Sequence, residues 1–374
     1  MNRTDTAQVE QQAPRRRSRH RYLLGAVGAA IVLATFALVL PKIADYRDVW
    51  DVLQTLSWQW AVALAGATAL NLVTFAPPWI VALPGLGFVQ AFALTQMSTA
   101  LAIVVPGGAA VGIAGSYGIL RRWGFAGPSI GRAVTLVSLW NQFANLSYPV
   151  LAVFLLAMQG GETPLLGTAA FIGAGVLGVA VAGLAAVLAS DRTATDIGDL
   201  TARLASWARG KIGRGPVAWG GPSFDRFRVE AVELLRRRWH VLTIATYGGT
   251  LTVFLVLLVA LRALGVPAAE VTAVEAFAAW ALARLLGTIP ITPGGIGVVE
   301  LTLTAALVGF GGNNAGVVAA VLVYRFLTMV PTIALGLAAT SLLNRPARLG
   351  ESPGSHDAAA SPRRDAEDPN ARRN

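Results

Sequence analysis

Apolar residues fill Leu23–Leu40, Leu165–Ala189 and Ala315–Leu343, stretches with no acid and at most one base, and further apolar runs occupy 58–80, 130–157 and 241–262. Each is close to the ~20 residues a helix needs to cross the hydrocarbon core of a bilayer. Two more regions, 88–120 and 271–310, each read as an apolar leg, a Pro-Gly-Gly break and a second, shorter leg. Strict apolar–polar alternation, the mark of a membrane β-strand, is missing. The pattern predicts an all-α polytopic membrane protein with two broken-helix hairpins. Polar segments divide it into a basic tail at 1–22, a transmembrane domain at 23–343 interrupted by a loop at 190–240, and a tail at 344–374 too polar to bury a core. Leu23–Leu40 follows three arginines but, at eighteen residues, exceeds the ~7–15 of a signal-peptide core and lacks a small-x-small site after it, so it reads as an uncleaved span.

Charge orients the spans. Lys and Arg number 25 in 1–22, 121–132, 190–240 and 344–374, against 3 in 41–57, 158–164, 262–270 and 311–314. The positive-inside rule places both termini and the central loop in the cytoplasm, in a cell inner (plasma) membrane. The same rule accounts for the net charge of +10, which in a soluble chain would suggest nucleic acid; no nucleic-acid motif is present and no such partner is expected. Cysteine is absent and the three histidines lie in polar segments, so neither a metal site nor a cofactor is expected.

With those sides fixed, each Pro-Gly-Gly region must enter and leave on one side, and the two regions resemble each other. Gln90-Ala91-Phe92 precedes Pro106-Gly107-Gly108, and Gly124-Phe125 follows; Glu275-Ala276-Phe277 precedes Pro293-Gly294-Gly295, and Gly309-Phe310 follows. The next spans match as well, with Gln142 and Pro149 in the first corresponding to Arg325 and Pro331 in the second. Two repeats, about 23–157 and 165–343, each reading span, span, hairpin, span, necessarily have opposite orientations. Inverted repeats with broken helices are a transporter architecture; chance similarity between Ala/Gly/Leu-rich segments is the alternative.

Candidate chemistry collects in those breaks. Proline and paired glycines stop a helix, and unpaired backbone survives in a membrane only inside protein or beside water. Pro106, Gly107, Gly108, Pro293, Gly294 and Gly295 are therefore candidate binding positions, with restarting helix N-termini suited to a phosphate; a packing kink is the bland alternative. Arg284, Glu300 and Arg325 lie inside apolar segments, where each charge costs ~2.5–3.5 kcal/mol at mid-membrane. Glu300 either caps its helix or pairs with an arginine, which still leaves one positive charge over. Gln96, Tyr117, Asn141, Gln142 and Asn145 give the first half a polar, uncharged counterpart, read equally as interhelical bonding or cavity lining. Residues 224–239 form a basic amphipathic segment fit to lie on an anionic leaflet or to set topology. Gly127-Pro128-Ser129-Ile130-Gly131 matches G-x-S-x-G without a strand or triad partners and reads as a loop. No Walker or H-E-x-x-H sequence is present, and no ATPase or hydrolase is expected.

Pro106-Gly-Gly…Gly118-Ile-Leu-Arg-Arg-Trp-Gly-Phe125, Thr292-Pro-Gly-Gly-Ile-Gly-Val-Val-Glu300 and Ala319-Ala-Val-Leu-Val-Tyr-Arg-Phe326 resemble the lysylphosphatidylglycerol synthase transmembrane-domain, or flippase-like, family over roughly 23–343. The resemblance implies movement of lipid head groups between leaflets, with Arg284, Glu300 and Arg325 carried over as the charged site. Ala109-Ala110-Val111-Gly112 lacks the acid the family pattern carries there, so no charged site is carried into the first half. The 31 residues after Leu343 are too few for an aminoacyl-transfer domain, so no synthase is expected in the chain, and a separately encoded synthase or transferase is a candidate partner. The leading expectation is translocation or binding of a polar or anionic lipid head group. The alternatives are a membrane-embedded transferase on a lipid carrier and a non-catalytic partner of a lipid- or glycan-modifying enzyme.

Overall fold

The computed structural model describes residue 54, residues 56–104, 108–159, 221–288 and 293–343, and isolated positions between 173 and 207. The expected first span, most of 165–189 and of 190–220, both tails, and Pro106 and Gly107 lie outside the described residues. Among the described residues every regular element is helical. Helix α1 (Trp58–Thr74) stops before Pro77-Pro78, and α2 (Pro77–Ala82) starts on those prolines, whose missing N–H groups cost nothing in a first turn. Together α1 and α2 make the expected 58–80 crossing. Helices α3 (Phe88–Val104) and α4 (Gly108–Arg122) are the legs of the first hairpin. A Cβ on Gly112 would stand 2.8 Å from the Ser98 carbonyl oxygen, so glycine there is what lets the legs touch.

Helix α5 (Gly127–Met158) begins inside the G-x-S-x-G sequence, which is the first helical turn rather than a loop. Pro128 is the reason: at the start of a helix its fixed φ favours the turn it would break elsewhere. A second correction concerns 224–239. It is not a separate interfacial helix but the leading part of α6 (Gly221–Ala263), continuous with the span expected at 241–262. Nothing between Phe224 and Tyr247 breaks a helix, and Ala231, Leu235 and Leu242 bury against Val81 of α2 and Leu136 of α5. Helix α7 (Ala273–Gly287) opens on a capping box between Thr272 and Glu275, which makes Glu275 a cap. A short 3₁₀ turn at Pro293–Gly295 precedes α8 (Val298–Gly309), and α9 (Asn314–Leu343) closes the fold. Four stretches, 58–82, 127–158, 231–263 and 314–340, are long and apolar enough to cross a membrane, whereas α3 and α8 are shorter apolar helices.

Contacts give the direction of each helix. Trp140 donates to Thr243 (2.9 Å) and Tyr148 to the Tyr247 carbonyl (2.9 Å), so α5 and α6 run parallel. Asn71 donates to Thr252 (3.2 Å) while Gly249 packs on Thr74, so α1 runs against α6. Arg284 meets Asn145 whereas Phe277, earlier on α7, meets Tyr148, later on α5, so these two oppose each other. Gly336 sits on Gln96 and Ala100, and Met329 on Ile103, so α9 opposes α3. Helix α8 turns back from α7, and α9 from α8, as the contacts of Gly295 with Gly287 and of Arg325 with Glu300 require. It follows that α1 and α6, α3 and α7, and α5 and α9 each run in opposite directions. These are the pairs that correspond in sequence. The halves also exchange partners: α5 packs on the hairpin of the second half, and α9 on that of the first.

Candidate functional site

Glu300 follows the second break by one turn, and its two oxygens have separate tasks. Oε2 accepts from the backbone N–H of Gly297 (2.7 Å), closing the first turn of α8. Oε1 accepts from Arg325 Nε (2.7 Å), and both side chains are almost fully buried. Arg325 Nη2 then donates to the Gly294 carbonyl (2.9 Å), a backbone acceptor exposed by the break itself. Gly294, Gly295 and Gly297 have φ of 61°, 66° and 85°, a region only glycine enters at low cost, so this turn needs all three. Capping and pairing, alternatives in the sequence, are here performed by one carboxylate. Its presence fills the anion position at the α8 N-terminus, so that helix end is not itself open to a phosphate.

Arg284 is the charge left over. Its Nε donates to Asn145 Oδ1 on α5 (2.7 Å), and Asn145 Nδ2 in turn donates to Gln142 Oε1 (3.0 Å). Its guanidinium carbon stands 5.6 Å from the centre of the Trp280 ring, one turn earlier on α7, a cation–π distance. Among the described residues no carboxylate pairs with it. A cavity of about 240 Å³ opens in front of it, bounded by Asn145, Trp280, Arg284, Tyr324, Arg325 and the Gly287–Thr288 end of α7. The arrangement offers guanidinium donors to a ligand with planar or tetrahedral oxygens, in surroundings where carboxylate or phosphate is the natural complement.

Of the expected site residues, Arg284 and Arg325 line this cavity, while Glu300, 3% exposed, stands behind Arg325. Pro293, Gly294 and Gly295 form its nearby turn. Gly108 starts α4 in the other half, where no side chain could fit against the Ala102 backbone. Gln142, expected as a binding residue, is exposed and one hydrogen bond removed from Arg284, which Asn145 contacts directly. Trp280 and Tyr324 were not anticipated; the signal was available in Trp280 standing four residues before Arg284, hence on the same helical face. Gln96 bonds the Leu72 carbonyl (3.1 Å) between helices, and Asn141 lines a second cavity described below.

The ends of the two hairpins meet. Ile103, near the end of α3, clusters with Ile296 beside the second break and Met329 of α9, and a methyl on Gly294 would lie 3.3 Å from Ile103 Cγ2. Comparison with known proteins gives one family: the model described as the lysylphosphatidylglycerol synthase TM region matches residues 25–336. No curated protein matches the chain.

Proposed function

The chain belongs to the family of the lysylphosphatidylglycerol synthase TM region, and from that premise we propose that it binds a phosphate-bearing lipid head group and carries it between leaflets. The observation that carries the reading is Arg284: an arginine within the helical bundle, held by a neutral amide and an aromatic ring and facing a cavity, with no carboxylate to neutralise it among the described residues. A charge in that position has an unmet need that a head-group phosphate supplies. Arg325, already paired, shapes the wall and fixes the break. Hairpins that meet tip to tip between opposed halves support a rocking exchange of the cavity between the two sides. The charge bias of the loops supports a plasma-membrane protein with both termini in the cytoplasm.

The test is a lipid-flip assay in proteoliposomes with a panel of head groups. Wild type should flip anionic phosphodiester lipids, and Arg284→Gln should reduce the rate by a factor of ten or more while keeping the folded protein in detergent. A stable Arg284→Gln variant flipping at the wild-type rate would remove the basis of the reading.

A further inference from the structure

A cavity of about 250 Å³, which the cationic site does not use, is walled by α1 to α5 of the first half and α6 of the second. No charged side chain lines it among the described residues. Its polar lining is Thr74, Thr95, Ser98, Thr99, Ser116, Ser138, Asn141 and Thr246. The donors of most of these groups are already engaged by their own helices. Ser98 donates to the Thr95 carbonyl (3.2 Å), Ser116 to that of Gly112 (3.0 Å), Thr74 to that of Leu70 (2.9 Å), and Asn141 Nδ2 to that of Val137 (2.9 Å). What they leave uncommitted are mainly oxygen lone pairs, with the second Nδ2 hydrogen of Asn141, while the Thr74 hydroxyl also meets that of Thr252 (2.9 Å). The Thr246 Oγ1 is fully covered with no hydrogen-bond partner, and the residue is only 3% exposed. A buried hydroxyl left unpaired is costly, and each one in a folded protein asks for a reason.

We propose that this cavity is a specificity site for the uncharged, hydroxyl-bearing part of a lipid head group, glycerol or sugar, whose phosphate is held at Arg284. The proposal rests on the reading of Arg284 given above. An acceptor-rich wall wants donors. An ammonium group would bring them, but with no carboxylate in the wall its charge would be desolvated without compensation, so neutral hydroxyls are favoured. Thr246, whose covered hydroxyl has both its donor and its lone pairs uncommitted, belongs to the same wall. Position supports the pairing of the two sites: Asn141 lines this cavity and Asn145 the cationic one, one turn apart on α5, or ~6 Å along its axis. The volume, equal to about eight waters at ~30 Å³ each, suits a head group rather than a whole lipid.

The experiment measures binding of short-chain phosphatidylglycerol and phosphatidylmethanol to the purified full chain. Both lipids carry one phosphodiester charge, and only the first has free hydroxyls. Wild type should prefer phosphatidylglycerol by roughly tenfold or more, the ratio that one or two net hydrogen bonds supply. Thr246→Val with Asn141→Leu should erase the preference and leave phosphatidylmethanol affinity unchanged. Arg284→Gln should weaken both lipids alike. A wild type with no preference, or a double variant that keeps it, overturns the specificity site. Unchanged affinities in Arg284→Gln, with the preference intact and still erased by the double variant, would overturn the cationic reading and leave a hydroxyl site standing without it. No binding of either lipid overturns both.

Discussion

Glu300 holds the second break to α9, and its removal should show it. In Glu300→Gln the Gly297 N–H keeps an acceptor, but Arg325 loses its counter-charge while staying buried. Removing one partner of a buried ion pair costs ~3–5 kcal/mol, whereas replacing both by apolar residues of similar size is often neutral. Thermal unfolding in detergent should therefore drop steeply for Glu300→Gln and recover in Glu300→Leu with Arg325→Met. Equal losses in the two variants would mean that the pair adds stability of its own. At this scale the sequence showed which charges stand inside apolar segments, because an ionisable residue in an apolar run is conspicuous. It left Glu300 open between its helix end and an arginine, and gave Arg284 no partner. The pairing of Arg284 with Asn145 joins residues 139 apart in the chain, and nothing in either helix announces the other.

Glu270 and Asn313 tie the ends of elements together outside the apolar spans. Glu270, between α6 and α7, accepts from both the backbone and the side chain of Asn313 (3.0 and 2.8 Å), and Asn313 Oδ1 accepts from Gly316 in the first turn of α9 (2.8 Å). The Asn313 side chain, and then its backbone N–H, hold the Glu270 carboxyl below its ordinary value. A depressed carboxyl contributes stability that is present above its unfolded value and is lost as pH falls through its folded one. Hydrogen-exchange protection at Gly316 should thus persist down through the ordinary carboxylate range and fade only below it. Glu270→Gln should flatten that dependence; an unchanged profile would assign the titration to another group. Helix existence was legible almost everywhere, since long apolar runs leave no other option in a bilayer. Helix ends were less so. The continuity of α6 through 224–263 was hidden because a change from basic to apolar composition looks like a boundary, although the backbone has no reason to stop there.

For the whole molecule the decisive contact is the meeting of the hairpin tips. If opposed halves must rock about that contact to pass a head group, fixing it should stop transport. The chain has no cysteine, so Ile103→Cys with Ile296→Cys introduces a single addressable pair in one cluster, one residue from each hairpin end. Oxidation should arrest lipid flipping and reduction should restore it, with each single variant insensitive to both. Full activity after complete crosslinking would require a route that leaves the tips in place. The opposed halves were readable from two Pro-Gly-Gly breaks and a loop-charge count. The exchange of partners between them was not, because it is decided by three-dimensional packing of apolar faces that look alike in sequence.

That exchange sets a schedule for assembly. Helix α3 is covered by α9, and Gln96 and Gly336, which touch, are roughly 240 residues apart; at ~5–20 residues per second the second follows the first by on the order of 10–50 s. For that interval the face of α3 that carries Gln96, Ala100 and Ile103 stands in the bilayer without its partner α9. A nascent chain halted before α9 is consequently an orphan, with that face of the first hairpin left uncovered by the helix that packs on it. The protein's yield in a cell should then depend on whatever shelters half-made hairpins during synthesis, and premature termination late in the message should be as damaging as termination near its middle.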